Sequence, residues 1–147
     1  MAPIESLDVQ LQASLPEFPL VRKTDANGQY LFSSLAKNQD YVVNPILNKD
    51  HSNGVSTLDL VLIQRHILGL QALDSNYKLI AADANNDGKV TASDLTDLRK
   101  LILGINSSLP NNSSWRFPVA GTPIVTSPVV QFTEAINITN LSSQMDN

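Results

Sequence analysis

The sequence predicts an α+β fold in which short strands come first and two similar loop-helix units follow. In residues 1–47, apolar and polar residues alternate in short runs that are separated by turn-forming residues. From residue 48 onward, apolar residues recur at helical spacing instead. The pattern that begins at Asp59-Leu60 recurs 35 positions later at Asp94-Leu95, which indicates a duplicated unit.

Composition excludes several classes of protein. The 147 residues carry a net charge of −4 and only 16% charged residues, so we expect no nucleic-acid binding. The absence of cysteine excludes disulfides and thiolate zinc sites. We expect no membrane insertion, because no apolar run is long enough, and no signal peptide is readable. The chain begins almost directly with a strand-like segment, and we interpret it as a fragment.

The β-rich part contains three strand-like runs, at residues 7–12, 29–32 and 41–43. Residues 25–28 end in Asn-Gly, which favours a tight turn. We therefore predict a hairpin between residues 21–24 and 29–33.

Two segments of the second part are predicted to be helices of similar design. Residues 57–68 and 93–103 carry apolar residues at helical spacing, and Gly69 and Gly104 follow them directly. Residues 75–82 predict a shorter helix between them, capped by Ser75 or Asp74.

The strongest chemical signal is the twelve-residue segment that begins at Asp83 and ends at Asp94. Oxygen-bearing residues occupy the positions at which an EF-hand loop places its ligands, and Gly88 stands at the sharp turn. The predicted calcium ligands are Asp83, Asn85, Asp87, Lys89 through its carbonyl oxygen, Thr91 and Asp94. An ordinary turn rich in Asp and Asn that caps the following helix is the alternative.

In chain order, residues 83–94 are the second loop. The repeat predicts a first, weaker calcium loop before Asp59. Its candidate ligands are Asn48, Asp50, Ser52, Gly54 through its carbonyl oxygen, Ser56 and Asp59. In this register, Asn53 takes the left-handed conformation that Gly88 takes in the other loop. A register that aligns Gly54 with Gly88 requires a deletion and places Lys49 at the first ligand position. A degenerate turn without metal is the alternative for this loop.

The first long helix is apolar nearly all round. It has Val61-Leu62 where the second long helix has Thr96-Asp97. This pattern predicts burial on a second side, against either the β-rich part or a separate protein.

Residues 46–106 resemble a type I dockerin, above all in 83–95 and in Leu98-Arg-Lys-Leu-Ile-Leu-Gly. The resemblance implies a calcium-binding, non-catalytic module of an extracellular or cell-surface protein, with a cohesin-like protein partner. No nucleophile elbow, phosphate loop or catalytic carboxylate pair is present, and we expect no enzyme. The partner-binding residues that the resemblance implies are Thr57, Leu58, Gln64 and Arg65 in the first repeat and Ala92, Ser93, Arg99 and Lys100 in the second. The alternative is that the basic residues among them form a solvated helix face.

Residues 5–45 resemble the end of a carboxypeptidase-regulatory-like or collagen-adhesin B-type β-sandwich. This resemblance implies a partial Ig-like sandwich without its first strand. We therefore expect a sandwich-like part (1–47), a dockerin-like module (48–106), and a linker with a strand-like extension (107–147). The alternative function is a calcium-stiffened element of an adhesin or filament that self-associates through open β edges.

Overall fold

A computed structural model describes residues 2–142 of the chain. The chain divides into two compact units between Leu47 and Asn48. Among the described residues, the sheet unit contains 2–47 and 133–142, and the helical unit is Asn48–Phe132. The fold is therefore mixed, as predicted, with an antiparallel sheet in one unit and helices in the other.

Four strands of the described residues form one antiparallel sheet. They are β1 (Asp8–Gln12), β2 (Leu20–Lys23), β3 (Tyr41–Ile46) and β4 (Ile136–Ile138). Their order across the sheet is β2-β1-β3-β4, so β1 and β3 are central. No second sheet occurs within residues 2–142, and a two-sheet sandwich is not confirmed.

The core of the sheet unit follows from the alternation along the two central strands. Val9 and Leu11 of β1 are buried, and so are Tyr41 and Val43 of β3. Leu11 lies opposite Val43 in the antiparallel register, so these four side chains share one face of the sheet. The Tyr41 hydroxyl donates a hydrogen bond of 2.8 Å to the Ala36 carbonyl, which satisfies the one polar atom of the ring.

The predicted hairpin after β2 is wrong in its second half. The turn forms, because the Asp25 carboxylate accepts hydrogen bonds from the N–H groups of Asn27 (2.8 Å) and Gln29 (2.9 Å). Residues 29–33 do not continue as a strand, and Ser34 takes a φ of +58° that no extended chain contains. β2 consequently remains an edge strand of the sheet.

The three helices within residues 48–132 confirm the helical periodicity. They are α1 (Thr57–Ile67), α2 (Asn76–Ala82) and α3 (Ala92–Ile102). Ser75 caps α2, with its hydroxyl oxygen 3.2 Å from the donating N–H of Tyr77. Ile63 of α1 packs with Leu95 and Leu98 of α3 in the core of the unit. No helix of the described residues is both long and apolar enough to cross a membrane.

The second apolar side of α1 is exposed, so its predicted burial against a separate protein stays a prediction. Leu58, Val61 and Leu68 follow one another along the face opposite the core, and their exposed fractions are 63%, 47% and 62%.

The predicted C-terminal extension, 107–147, is not one structural piece. Residues 107–132 belong to the helical unit, whereas 133–142 belong to the sheet unit and supply β4, which the sequence did not predict. The strand-like runs 124–126 and 129–132 make a single bridge between Val125 and Gln131 rather than two strands. The last part of the extension, 143–147, lies outside the described residues.

Candidate metal centre

The second loop begins at Asp83, the residue that ends α2. Its side chain is almost completely buried and accepts hydrogen bonds from the N–H groups of Asp87 (3.0 Å, to Oδ1) and Gly88 (2.8 Å, to Oδ2). Asn86 and Gly88 both take positive φ, which lets the loop turn tightly around the carboxylate. The two oxygens of Asp83 thus organise the first half of the loop.

Asp94, at the other end of the loop, is completely buried in the first turn of α3. Its Oδ2 accepts a hydrogen bond from the N–H of Thr91 (2.7 Å), the residue that caps the helix. Its Oδ1 accepts one from the N–H of Asn85 (3.1 Å) across the loop. Asp94 therefore ties the start of the loop to the helix that follows it.

The electrostatics of the loop fit a cation. Burial raises the pKa of Asp83, and the nearby charges of Asp94 and Asp87 raise it further, against the lowering effect of the N–H donors. No described lysine or arginine makes a salt bridge to any of these three carboxylates. A buried carboxylate pair without a cationic partner is costly, and a divalent ion would remove that cost.

The remaining predicted ligands of this loop lie close by. The Asn85 side-chain oxygen accepts a hydrogen bond from the N–H of Asp87 (3.0 Å), and Asp87 Oδ1 accepts one from the N–H of Lys89 (2.8 Å). Within the described residues, no three His, Cys, Asp or Glu side chains are grouped so that they could hold a metal ion. The fit to calcium rests on the donor set, which consists of carboxylate, amide, hydroxyl and peptide oxygens and contains no nitrogen or sulfur.

The first loop brings its predicted ligands together less well. The Asn48 side-chain oxygen accepts a hydrogen bond from the N–H of Ser114 (3.0 Å), and Asp50 and Ser52 are exposed. The Asp59 carboxylate accepts hydrogen bonds from the N–H (2.7 Å) and hydroxyl (2.9 Å) of Ser56. The equivalent of the cross-loop bond to Asp94 is not formed.

The conformation predicted for Asn53 is wrong. Positive φ occurs at Asp50 and Gly54, and Asn53 instead donates its N–H to the Asp50 carbonyl (2.9 Å) in a turn. Gly54 has no Cβ and takes the left-handed conformation at a lower cost than asparagine does. Val55 and Val90 pack against the same core, so the two repeats agree after the turn and differ before it.

A segment outside the predicted site contacts the second loop. We call residues 107–132 the strap. The Asn112 side-chain amide donates to the Asp83 carbonyl (2.8 Å), Arg116 donates to the Asn86 side-chain oxygen (2.8 Å), and the Val130 N–H donates to the Gly88 carbonyl (2.6 Å). These residues could not be predicted from the sequence, because contacts between distant positions leave no characteristic spacing or periodicity in it.

The partner-binding residues that the dockerin resemblance implied are at the surface of α1 and α3. All eight are exposed: Thr57, Leu58, Gln64, Arg65, Ala92, Ser93, Arg99 and Lys100. Two of them have side-chain contacts within the unit, since Arg65 donates to Gln71 (3.2 Å) and Ser93 accepts from Asn85 (3.1 Å).

Comparison with protein families identifies the loop-helix segment. The family model described as the dockerin type I domain matches residues 47–103. A dockerin is a calcium-binding, non-catalytic domain that binds cohesins, so this match supports a dockerin module with a protein partner in this chain. Comparison with curated proteins and with solved structures found no match. The sheet unit apart from Leu47 and the whole strap lie outside the dockerin match.

Alanine substitution of two glycines distinguishes the free-energy cost of positive φ from the cost of close packing in the two loops. Gly54→Ala meets no atom within 4 Å, so it should cost only the strain of positive φ, about 1 kcal/mol of unfolding free energy. Gly88→Ala has the same strain and also places its Cβ 3.0 Å from the Val129 Cβ. Such overpacking adds about 1–3 kcal/mol. Urea unfolding of both variants without metal measures the difference, and equal losses would show that the strap does not press on the second loop.

Proposed function

We propose that this chain is a calcium-binding, non-catalytic protein-interaction module of an extracellular or cell-surface protein. The observation that carries the proposal is the second loop, in which Asp83 and Asp94 are buried with no salt bridge to a described lysine or arginine. This loop lies inside the segment that matches the dockerin family. A loop of this kind in an extracellular module binds calcium with a dissociation constant on the order of 10⁻⁴ to 10⁻³ M.

We further propose that the two loops differ in affinity, with the second loop as the main site. This difference is supported by the hydrogen bond that Asp94 accepts across the loop from the Asn85 N–H, for which no counterpart at Asp59 is described. The first loop also directs Asn48 toward Ser114 and leaves Asp50 exposed. The first site is therefore weaker or empty at millimolar calcium, although six of its residues carry usable oxygens.

Calorimetric titration of metal-free protein tests which loop binds. Asp87→Ala removes an exposed carboxylate of the second loop, and we expect the calcium affinity to fall about tenfold or more because ligand charge sets the affinity of such loops. Ser52→Ala, 35 positions earlier, is the matched change in the first loop and should alter the affinity of the main site by less than about twofold. A larger effect of Ser52→Ala would assign the main site to the first loop, and no heat from the wild-type protein would refute calcium binding.

The docking surface that we propose is the exposed face of α1, formed by Leu58, Val61 and Leu68. Its support is the exposure of three large apolar side chains on one helix face, which monomeric proteins seldom leave uncovered without a binding role. The corresponding face of α3 carries Ser93 and Thr96 in place of Leu58 and Val61, and only its third position, Leu103, is apolar and exposed. A cohesin-like partner therefore engages α1 in preference to α3, and the two repeats are not interchangeable.

A matched pair of charge insertions tests this surface. Val61→Asp places a carboxylate in the centre of the apolar face, and we expect the affinity for a cohesin partner to fall more than about tenfold, as at an interface hot spot. Thr96→Asp makes the same change at the equivalent position of α3 and should have little effect. Surface plasmon resonance measures both, with circular dichroism as the folding control. Equal losses would place the partner on both helices, and two unchanged affinities would refute docking through these faces.

The alternative is a structural element of an adhesin that assembles through its sheet. The observation that favours it is the outer edge of β2, beside which residues 29–33 form no strand and Val21 is 46% exposed. Sedimentation equilibrium distinguishes the two functions. A chain that stays monomeric at high concentration supports docking, whereas concentration-dependent association that Val21→Pro abolishes supports assembly through this edge.

A further inference from the structure

We propose that the strap is a working part of the calcium site, and that Asn112 is a positioning residue that sets the calcium affinity of the second loop. The inference rests on the proposed function of that loop. It extends the functional module to residue 132, well past the end of the dockerin match at residue 103.

Asn112 holds the first residue of the loop from outside. Its amide nitrogen donates to the Asp83 carbonyl (2.8 Å), while its side-chain oxygen accepts from Arg116 (3.0 Å) and from the N–H of Ser113 (2.9 Å). Both ends of the amide are therefore occupied, which fixes the orientation of the side chain. The Asp83 backbone is fixed in turn at the point where α2 ends and the loop begins.

The strap contacts the loop at two further points. Arg116 donates to the Asn86 side-chain oxygen (2.8 Å), and its guanidinium lies 4.7 Å from the centre of the Phe132 ring, which holds it in place. The Val130 N–H donates to the Gly88 carbonyl (2.6 Å). Val130 is presented by a turn whose ends, Val125 and Gln131, exchange two backbone hydrogen bonds of 2.9 and 2.8 Å.

These contacts leave the donor atoms of the loop available. The strap binds the carbonyls of Asp83 and Gly88 and the side chain of Asn86, none of which is a predicted ligand atom. The carboxylates of Asp83 and Asp94 accept hydrogen bonds only from within the loop and its helix. Strap docking and cation binding are therefore compatible, and each reduces the freedom of the same loop, so each strengthens the other.

The same segment acts differently on the first loop. The Ser114 N–H donates to the Asn48 side-chain oxygen (3.0 Å), and the Lys49 N–H donates to the Ser114 hydroxyl (2.8 Å). A candidate ligand of the first loop is thus engaged by the strap, whereas the ligands of the second loop are supported from behind. The strap therefore makes the two loops unequal in the availability of their candidate ligands.

The test is a calcium titration of the full chain, followed by calorimetry and by the fluorescence of Trp115, the only tryptophan of the sequence, which lies in the strap. For Asn112→Ala we expect about tenfold weaker calcium binding, the size of effect that removing an outer-shell partner has on a metal site. Asn111→Ala is the matched control, because Asn111 is exposed and makes no described hydrogen bond, and its affinity should stay within about twofold of wild type.

A second readout separates positioning from general destabilisation. In wild type, calcium should reduce the quenching of Trp115 by acrylamide, since the ion and the strap order the same loop; in Asn112→Ala this protection should need about tenfold more calcium. If Asn112→Ala does not fold, Val130→Pro removes one N–H donor to the loop, and the same tenfold loss is expected.

The outcomes are distinct. Wild-type protein that binds no calcium would overturn the proposed function. Wild-type protein that binds calcium while Asn112→Ala and Asn111→Ala bind equally well would overturn the role of the strap and leave the proposed function intact. Calcium-independent quenching of Trp115 in a wild-type protein that binds calcium would also overturn the coupling.

Discussion

The helical unit depends on two carboxylates, Asp83 and Asp94, that are buried where α2 ends and α3 begins. Both are satisfied by peptide N–H groups of the loop, and neither has a basic partner among the described residues. Hydrogen bonds lower the cost of burying charge without removing it, which is why the pKa of Asp83 is raised. In the function that we propose, calcium supplies the missing charge, and its binding free energy then counts toward the folding of this unit.

The duplication is preserved in the core and lost at the surface. Val55 and Val90 pack into the same core, and Ile63 meets Leu98 between the two long helices. Outside the core, each copy has taken a different role. In the loop before α3, Asp94 accepts a hydrogen bond across the loop from Asn85, and no equivalent bond to Asp59 is described. In α1, the exposed apolar residue Val61 stands where α3 has Thr96. In the function that we propose, one copy is thus specialised for the ion and the other for the partner.

Sequence patterns predicted the elements whose conformation depends on residues close together in the chain. Alternation at Val9 and Leu11 predicted β1, helical periodicity predicted α1 and α3, and the spacing of oxygen-bearing residues predicted the position of the second loop.

The incorrect or missing predictions concern elements whose structure depends on residues far apart in the sequence. β4 is extended because it pairs with β3, about 95 positions earlier, and the strap is placed by hydrogen bonds to the loop. The aromatic residues within 29–33 favour a strand, but no strand follows the turn that Asp25 stabilises. At the first loop, the repeat predicted the left-handed residue at Asn53, although the neighbouring Gly54 adopts that conformation more readily.

The central claim is that calcium occupies the second loop and is enclosed by it. Anomalous diffraction from crystals of the full chain grown in calcium tests this claim most directly, because it locates the ion without assuming which residues bind it. A single strong anomalous peak surrounded by the side chains of Asp83, Asp87 and Asp94 is the predicted result, with a weaker peak or none at Asp59. A dominant peak at the first loop, or no peak at either loop, would contradict it.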